Sequence, residues 1–134
     1  MKLDDGVSFR LARLTRTLHR PHMHRLRRYR LTVPQLFLLL ALYERDDMAA
    51  GELAERIHVD KGTITGILSR LEKNGLITRT KDESDRRSVR VTLTDKGRRL
   101  RRPLTALYED VNQHLLEALG THQTRVPALL TALE

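Results

Sequence analysis

A stretch of polar and basic residues between positions 61 and 73 of this 134-residue chain can contact a polyanion. Apolar residues alternate with them at helical spacing, so the polar ones share the outer face of one helix. They are Lys61, Thr63, Thr65, Ser69, Arg70 and Lys73. Short hydroxyl side chains near a helix start can approach base edges and phosphates, and the helix dipole there favours phosphate. This face predicts DNA contact; an ordinary solvated face is the alternative.

A second charged segment follows at residues 81–88, which are almost all polar and carry both signs of charge. Asp82, Glu83 and Asp85 stand beside Lys81, Arg86 and Arg87. An arginine gains free energy in the negative potential of a narrow minor groove. It must also be held in position, and Asp85 can orient Arg87 from two residues away. Arg86 is expected to contact phosphate. A loose surface ion pair, worth less than about 1 kcal/mol, is the alternative.

The surrounding sequence predicts the elements that position these side chains. Apolar residues at helical spacing indicate a supporting helix over 51–57 and a recognition helix over about 61–74. A turn at 58–60 joins them, Asp60 is placed to cap the second helix, and Gly75 to end it. Gly51 stands where a Ser or Thr cap is expected for the supporting helix.

The hydrophobic period then changes from 3.6 to 2. Val89, Val91 and Leu93 alternate with polar residues as in a half-buried strand, with 77–80 as the partner strand. Residues 48–50 can supply a third strand. Helix, turn, helix and hairpin make a winged helix-turn-helix, so the predicted class is mainly α (α+β). This geometry suits DNA, with a helix for the major groove and a ribbon for the minor groove.

Three motifs give the stretch a specific resemblance. They are Thr63-x-Thr65 continuing through Arg70-Leu71-Glu72-Lys73-Asn74-Gly75-Leu76-Ile77-x-Arg79, then Asp82-x-x-Asp85-Arg86-Arg87, and Leu93-Thr94-x-x-Gly97. In this order and at these separations they resemble the DNA-binding domain of the MarR family of bacterial transcriptional regulators. The resemblance implies that Arg87 enters the minor groove, that Asp85 braces it and that Arg79 is a DNA-binding residue. It also implies a regulator, more often a repressor than an activator.

Upstream, the clearest helix start in the chain lies at residues 31–36. Thr32 and Gln35 form a capping box, and Leu31 and Leu36 a hydrophobic staple. The helix that follows is apolar nearly all round through Tyr43. It is therefore predicted to be the buried centre of the domain.

The two ends of the chain carry long amphipathic patterns. Near the start, apolar residues are separated by arginines, and Pro21 requires the helix to end, kink or restart. Near the end, Thr94 starts a long helix that Pro103 should kink or divide and Gly120 should end, and 126–133 forms a last short helix. The resemblance implies that the first helix packs in a dimer interface.

The apolar faces of these terminal helices are larger than a chain of this size can cover by itself. We therefore expect them to be buried against a second, twofold-related copy of the chain, as in the family. The alternative is helices folded back on the chain's own core. The expected segments are 1–31 and 98–134 for dimerisation and 32–97 for DNA binding. A twofold dimer sets two recognition helices about 34–36 Å apart and predicts a palindromic operator. In the family, a small aromatic or lipophilic effector commonly controls binding, and no other cofactor is expected.

Composition excludes several classes. A net charge of +8 favours a polyanionic partner, although a GC-rich genome also enriches arginine. No cysteine is present, so disulfides, Cys-ligated zinc and the thiol-oxidation mechanism of some MarR proteins are excluded. No cysteine nucleophile, Gly-rich phosphate loop or His–Glu metal spacing indicates an enzyme. The polar start and the short apolar run at 36–42 predict a cytoplasmic protein without membrane association.

Three histidines close to Pro21 could together bind a metal ion. His19, His22 and His24 stand close together, but acidic residues nearby are few. They are expected to be solvated or near DNA. A metal-responsive regulator, a ligand-independent architectural DNA-binding protein and a protein-interaction module remain the alternatives.

Overall fold

The computed structural model describes residues 2–134, which form helices around a small antiparallel sheet. The elements in chain order are α1 (Val7–Leu26), α2 (Val33–Glu44), β1 (Met48–Ala49), α3 (Ala50–Arg56), α4 (Lys61–Lys73), β2 (Ile77–Lys81), β3 (Val89–Leu93), α5 (Asp95–Arg99), α6 (Arg101–Leu119) and α7 (Val126–Thr131). Short 3-10 turns occupy Leu3–Asp5, Arg27–Tyr29 and Gly120–Arg125. The predicted class, a mainly helical winged helix-turn-helix, is confirmed.

The chain divides into two compact units. One comprises Leu26–Thr105 and holds the helix-turn-helix and the sheet; the other comprises Met1–Arg25 together with Ala106–Glu134. The three segments expected from the sequence, 1–31, 32–97 and 98–134, stay a prediction about function.

Helix α2 is the buried centre of the Leu26–Thr105 unit, as its sequence predicts. The Thr32 N–H donates to Gln35 Oε1 (3.0 Å), and the Gln35 N–H donates to Thr32 Oγ1 (3.4 Å), which completes the capping box. Leu36, Leu38 and Leu39 are fully buried. Each buried leucine removes apolar surface from water and contributes roughly 1.5–3 kcal/mol.

A close approach joins α5 to the strand region. A Cβ at Gly97 would lie 2.2 Å from the carbonyl oxygen of Leu76, so only glycine fits. The Tyr43 hydroxyl donates to the Gly97 carbonyl (2.8 Å), and burial raises the pKa of Tyr43 to about 12. The glycine of the Leu93-Thr94-x-x-Gly97 motif therefore has a packing role.

The sheet has the order β1-β3-β2 with antiparallel pairs throughout. Ile77 pairs with Leu93 and Lys81 with Val89, which fixes the wing register. Met48 pairs with Val91, so the third strand predicted at 48–50 exists, over two residues.

Gly51 is not at the cap position of the supporting helix. Helix α3 begins at Ala50 with Ala49 as its N-cap, and Gly51 lies inside the first turn. Ala49 is the last residue of β1 and is extended, so the chain passes directly from strand to helix.

The two prolines behave differently. The division predicted at Pro103 is confirmed: α5 ends at Arg99, and α6 begins at Arg101, which places Pro103 in a first turn, where its missing N–H has no intrahelical partner. The expectation that Pro21 interrupts the first helix is wrong in that α1 neither ends nor restarts there. Proline removes one hydrogen bond, to the Thr17 carbonyl, and the remaining turns stay helical.

The unit of terminal helices exposes much of its apolar surface. Large side chains that lie 41–66% exposed include Leu11, Leu14, Leu129, Leu130 and Leu133. Arg25 of α1 forms an ion pair with Asp110 of α6. The last helix ends at Thr131, two residues earlier than predicted. No helix within residues 2–134 has the length and apolarity needed to span a bilayer.

Candidate nucleic-acid interface

Helix α4 is held at its start by the predicted cap. The Thr63 N–H donates to Asp60 Oδ1 (2.7 Å), and this hydrogen bond lowers the pKa of the Asp60 carboxyl. A carboxylate at this position also complements the helix dipole. At the other end, Gly75 adopts a φ of +72°, the left-handed conformation that ends a helix.

The outer face of α4 has the residues that the sequence predicts. Its inner face buries Ile64, Ile67, Leu68 and Leu71. All six predicted contact residues are exposed, namely Lys61, Thr63, Thr65, Ser69, Arg70 and Lys73. Across residues 2–134, its three cations form no ion pair. Their charges are therefore available to an external anion.

Hydrogen bonds within the hairpin order the wing tip. Asp82 Oδ1 accepts from the Ser84 N–H (2.9 Å) and hydroxyl (2.7 Å), and these bonds lower the pKa of Asp82. The Asp82 N–H donates to the Ser88 carbonyl (3.0 Å). The tip is thus a closed loop of defined shape.

Asp85 holds the main chain of Arg87 and not its guanidinium. Asp85 Oδ1 accepts from the backbone N–H of Arg87 (3.0 Å), and the Asp85 carbonyl accepts from the Ser88 N–H (2.9 Å). Arg86 and Arg87 are exposed and form no ion pair in the described part of the chain. In this structure Asp85 supports Arg87 through the backbone, which leaves the whole guanidinium available; bracing of the side chain in a minor groove stays a prediction.

Arg79, predicted to bind DNA, joins α4 to β2. Its Nη2 donates to Glu72 Oε1 (2.9 Å), and its backbone N–H donates to Glu72 Oε2 (3.1 Å). The hydrogen bond from Arg79 lowers the pKa of Glu72. The Glu72–Arg79 pair fixes strand β2 against helix α4. A DNA contact by Arg79 stays a prediction.

Sequence patterns gave no role to Arg90, which links three segments. Its Nε donates to Asp47 Oδ1 (3.0 Å), and its Nη2 donates to the Asp47 carbonyl. Its Nη1 lies 3.9 Å from Asp82 Oδ2 at the wing tip. The Asp47 carboxylate raises the pKa of Arg90. The acidic pair Asp46-Asp47 before β1 is a sequence signal that could have indicated a basic partner.

Of the three clustered histidines, His22 is not solvated as expected. It is 5% exposed, and its ring stacks on Tyr108 with centroids 6.0 Å apart. Burial lowers the pKa of the imidazole. His24 is exposed and His19 half-buried. Residues 2–134 contain no cluster of three or more His, Asp or Glu side chains arranged to hold a metal ion.

Comparisons with known proteins agree with this architecture. The family model described as MarR family matches residues 31–89. The organic hydroperoxide resistance transcriptional regulator of Bacillus subtilis is 36% identical over 97 residues, 72% of this chain and 66% of that protein. A probable transcriptional regulator from Pseudomonas aeruginosa is 28% identical and superposes with a TM-score of 0.88 over 99% of this chain and 100% of that one.

A second similar structure contains DNA. The MepR–DNA complex of Staphylococcus aureus is 23% identical to this chain, with a TM-score of 0.86 over 96% of each chain, and shows the same fold. The chain spans between 54% and 66% of the length of the first curated relatives it matches.

The fold and the exposed face of α4 define a winged helix-turn-helix protein. The family match, the relative and the superposed structures narrow this class: the chain belongs to the MarR family. Members of this family and the relatives named above are transcriptional regulators and not enzymes.

Proposed function

We propose that this protein is a sequence-specific DNA-binding transcriptional regulator that represses its targets from a palindromic operator. The observation that carries the proposal is the contrast among its cations. Lys61, Arg70 and Lys73 on α4 are exposed and form no ion pair in residues 2–134, whereas Arg79 and Arg90 are ion-paired inside the domain. Unpaired cations on one face bind phosphates, since they displace condensed counterions from DNA.

We propose a different groove for each part of the site. Helix α4 is wide enough to fill a major groove, where Thr65 and Arg70 reach base edges. Arg87 at the wing tip enters the adjacent minor groove, and Asp85 supports its backbone (3.0 Å). Phosphate contacts come from the remaining exposed residues of the site, namely Lys61, Thr63, Ser69, Lys73 and Arg86.

We further propose that the protein acts as a homodimer. The terminal segments 1–31 and 98–134 supply the interface, because their large apolar side chains stay exposed in the single chain. Large exposed apolar patches are typical of protein–protein interfaces. A twofold pair places two α4 helices about 34–36 Å apart, one turn of DNA. A protein with this role works in the cytoplasm.

A small aromatic or lipophilic effector is proposed to release the dimer from DNA. Such a ligand can act only by binding more tightly to the dimer in which the two α4 helices are wrongly spaced for DNA than to the dimer in which their spacing fits. The cysteine-free sequence leaves no thiol for oxidative control within these residues.

Selection of bound fragments from the source genome, followed by footprinting, tests the proposal. A single short palindrome protected in each fragment is the expected result. Uniform coverage of unrelated fragments would indicate an architectural protein instead. Failure to bind duplex DNA even in dilute buffer would contradict any DNA-binding role.

A further inference from the structure

Gly66 lies in the middle of α4, where glycine is unfavourable. A glycine inside a helix loses more backbone entropy on folding than alanine and weakens the helix. A helix that must present six contact residues in fixed positions gains nothing from such a residue. A contact made outside the helix would account for its presence on the face that is predicted to bind DNA.

No contact within the protein requires glycine at this position. A Cβ built on Gly66 meets no atom within 4 Å, and its φ is not positive. Gly97 and Gly75 contrast with it: a Cβ at Gly97 would strike the Leu76 carbonyl at 2.2 Å, and Gly75 has a φ of +72°. If a close neighbour excludes a side chain at Gly66, that neighbour belongs to a partner.

Gly66 lines an open hollow of about 240 Å³ beside the predicted contact face. The other lining residues are Gly62, Thr63, Ile67 and Arg70 of α4 and Thr32, Pro34 and Gln35 at the start of α2. Arg70 lies one helical turn beyond Gly66 and is exposed. The cation and the hydroxyl groups suit the phosphates of an anionic chain, and the apolar lining suits its sugars.

We propose that Gly66 is a close-approach position: a sugar–phosphate strand of the operator packs on its Cα, nearer than a Cβ would allow. This inference rests on the proposed function. A helix within a major groove about 12 Å wide has a DNA strand on either side. On the side where α2 begins, the hollow admits that strand, and the Thr63 hydroxyl in its lining contacts a phosphate. Gly66 thereby sets the depth of α4 in the groove and the reach of Thr65 and Arg70 to the bases.

The substitution Gly66→Ala separates stability from binding, because the two should change in opposite directions. Alanine favours the helix, so the unfolding midpoint should rise by about 2–4 °C. Operator affinity should fall by about 10- to 100-fold, as expected when an added methyl overfills a close contact. Gly66→Ser, with a larger side chain, should weaken binding further.

Gly51→Ala is the matched control. Gly51 also lies inside a helix, and a Cβ there also meets no atom within 4 Å. It lies on α3, outside the predicted contact face. This variant should gain stability with unchanged operator affinity, measured by gel shift on the selected palindrome at one fixed salt concentration.

Each outcome of this experiment is decisive. If the wild-type protein binds the palindrome and the Gly66→Ala variant binds it with the same affinity, the close approach is overturned and the proposed function stands. An equal loss in Gly51→Ala would show that added helix stability, and not contact, reduces binding, and would also overturn it. If the wild-type protein binds no duplex, the proposed function itself fails.

Discussion

Arg87 differs in its contacts from Arg79 and Arg90, the two arginines on the strands of the wing. Arg79 and Arg90 have carboxylate partners at 2.9 and 3.0 Å, whereas Arg87 is held only through its backbone, by Asp85. Its guanidinium therefore contributes nothing to the internal ion pairs that hold the wing. Such a residue can be removed with an effect on partner binding alone.

We expect Arg87→Ala to weaken operator binding by about 1–3 kcal/mol and to leave the unfolding midpoint unchanged. Arg99→Ala removes the same charge from α5 and serves as the control for net charge. Gel shifts and thermal unfolding measure the two quantities. Unchanged affinity of Arg87→Ala would refute its role in the groove.

The buried His22 predicts acid sensitivity of the terminal helices. Burial lowers its pKa, and His19 and Arg25 nearby act in the same direction. The unfolded chain then takes up a proton at a higher pH than the folded protein, so stability rises with pH across that interval. Stability from neutral His22 is complete above about pH 6.5 and is lost as the pH falls from there toward the folded value.

His22→Phe, which can still stack on Tyr108, should remove this contribution. Unfolding midpoints of both proteins, measured from about pH 8 to about pH 5, isolate it because all other groups titrate alike. Wild-type protein should lose more stability than the variant over this range. Parallel curves would contradict the role of His22.

At the scale of elements, the Glu72–Arg79 pair connects helix α4 to strand β2 of the wing. Both side chains are partly exposed, so we expect a double-mutant cycle with Glu72→Gln and Arg79→Met to show a small favourable coupling free energy. The pair lowers the pKa of Glu72, so its contribution is present above the usual glutamate pKa and is lost as the pH falls through the folded value. Additive single effects at neutral pH would exclude the coupling.

Gly97→Ala tests the contact between α5 and the strand region. The added methyl would lie 2.2 Å from the Leu76 carbonyl and would disturb the Tyr43 hydrogen bond (2.8 Å). We expect a loss of about 1–3 kcal/mol in unfolding free energy by chemical denaturation. Gly51→Ala, where nothing crowds the new methyl, should be neutral or stabilising.

Sequence patterns predicted the elements whose signals are local. The cap at Asp60, the capping box at Thr32, the stop at Gly75 and the strand period at 89–93 each depend on neighbours a few residues away. The outer face of α4 followed from helical periodicity in the same way. These features could be predicted because local geometry alone determines them.

The features that the sequence did not predict depend on residues far apart in the chain. Arg90 contacts Asp47, 43 residues away, and the His22 ring meets Tyr108. Neither pair leaves a periodic signal. Pro21 was misjudged for a related reason, since a helix survives one missing hydrogen bond when its other turns hold.

For the whole molecule, the proposed homodimer would bury the exposed leucines of the terminal helices. Deleting 120–134 removes Leu129, Leu130 and Leu133, all more than half exposed in the single chain. We expect the truncated protein to show a larger monomer fraction in sedimentation than the full-length protein. We also expect it to bind a full palindrome more weakly. A shortened protein that still sediments as a dimer would contradict this assignment.

The separation between ion-paired and unpaired arginines has an evolutionary consequence. Substitutions at Thr65, Ser69 or Arg70 leave the internal ion pairs untouched, so under the proposed function a descendant would acquire a new target sequence through single, individually tolerated changes. Arg79 and Arg90 lack that freedom, because any replacement disturbs their links to Glu72 and Asp47. Duplicated copies of this gene should therefore diverge first on the outside of one helix, while the scaffold beneath it stays the same.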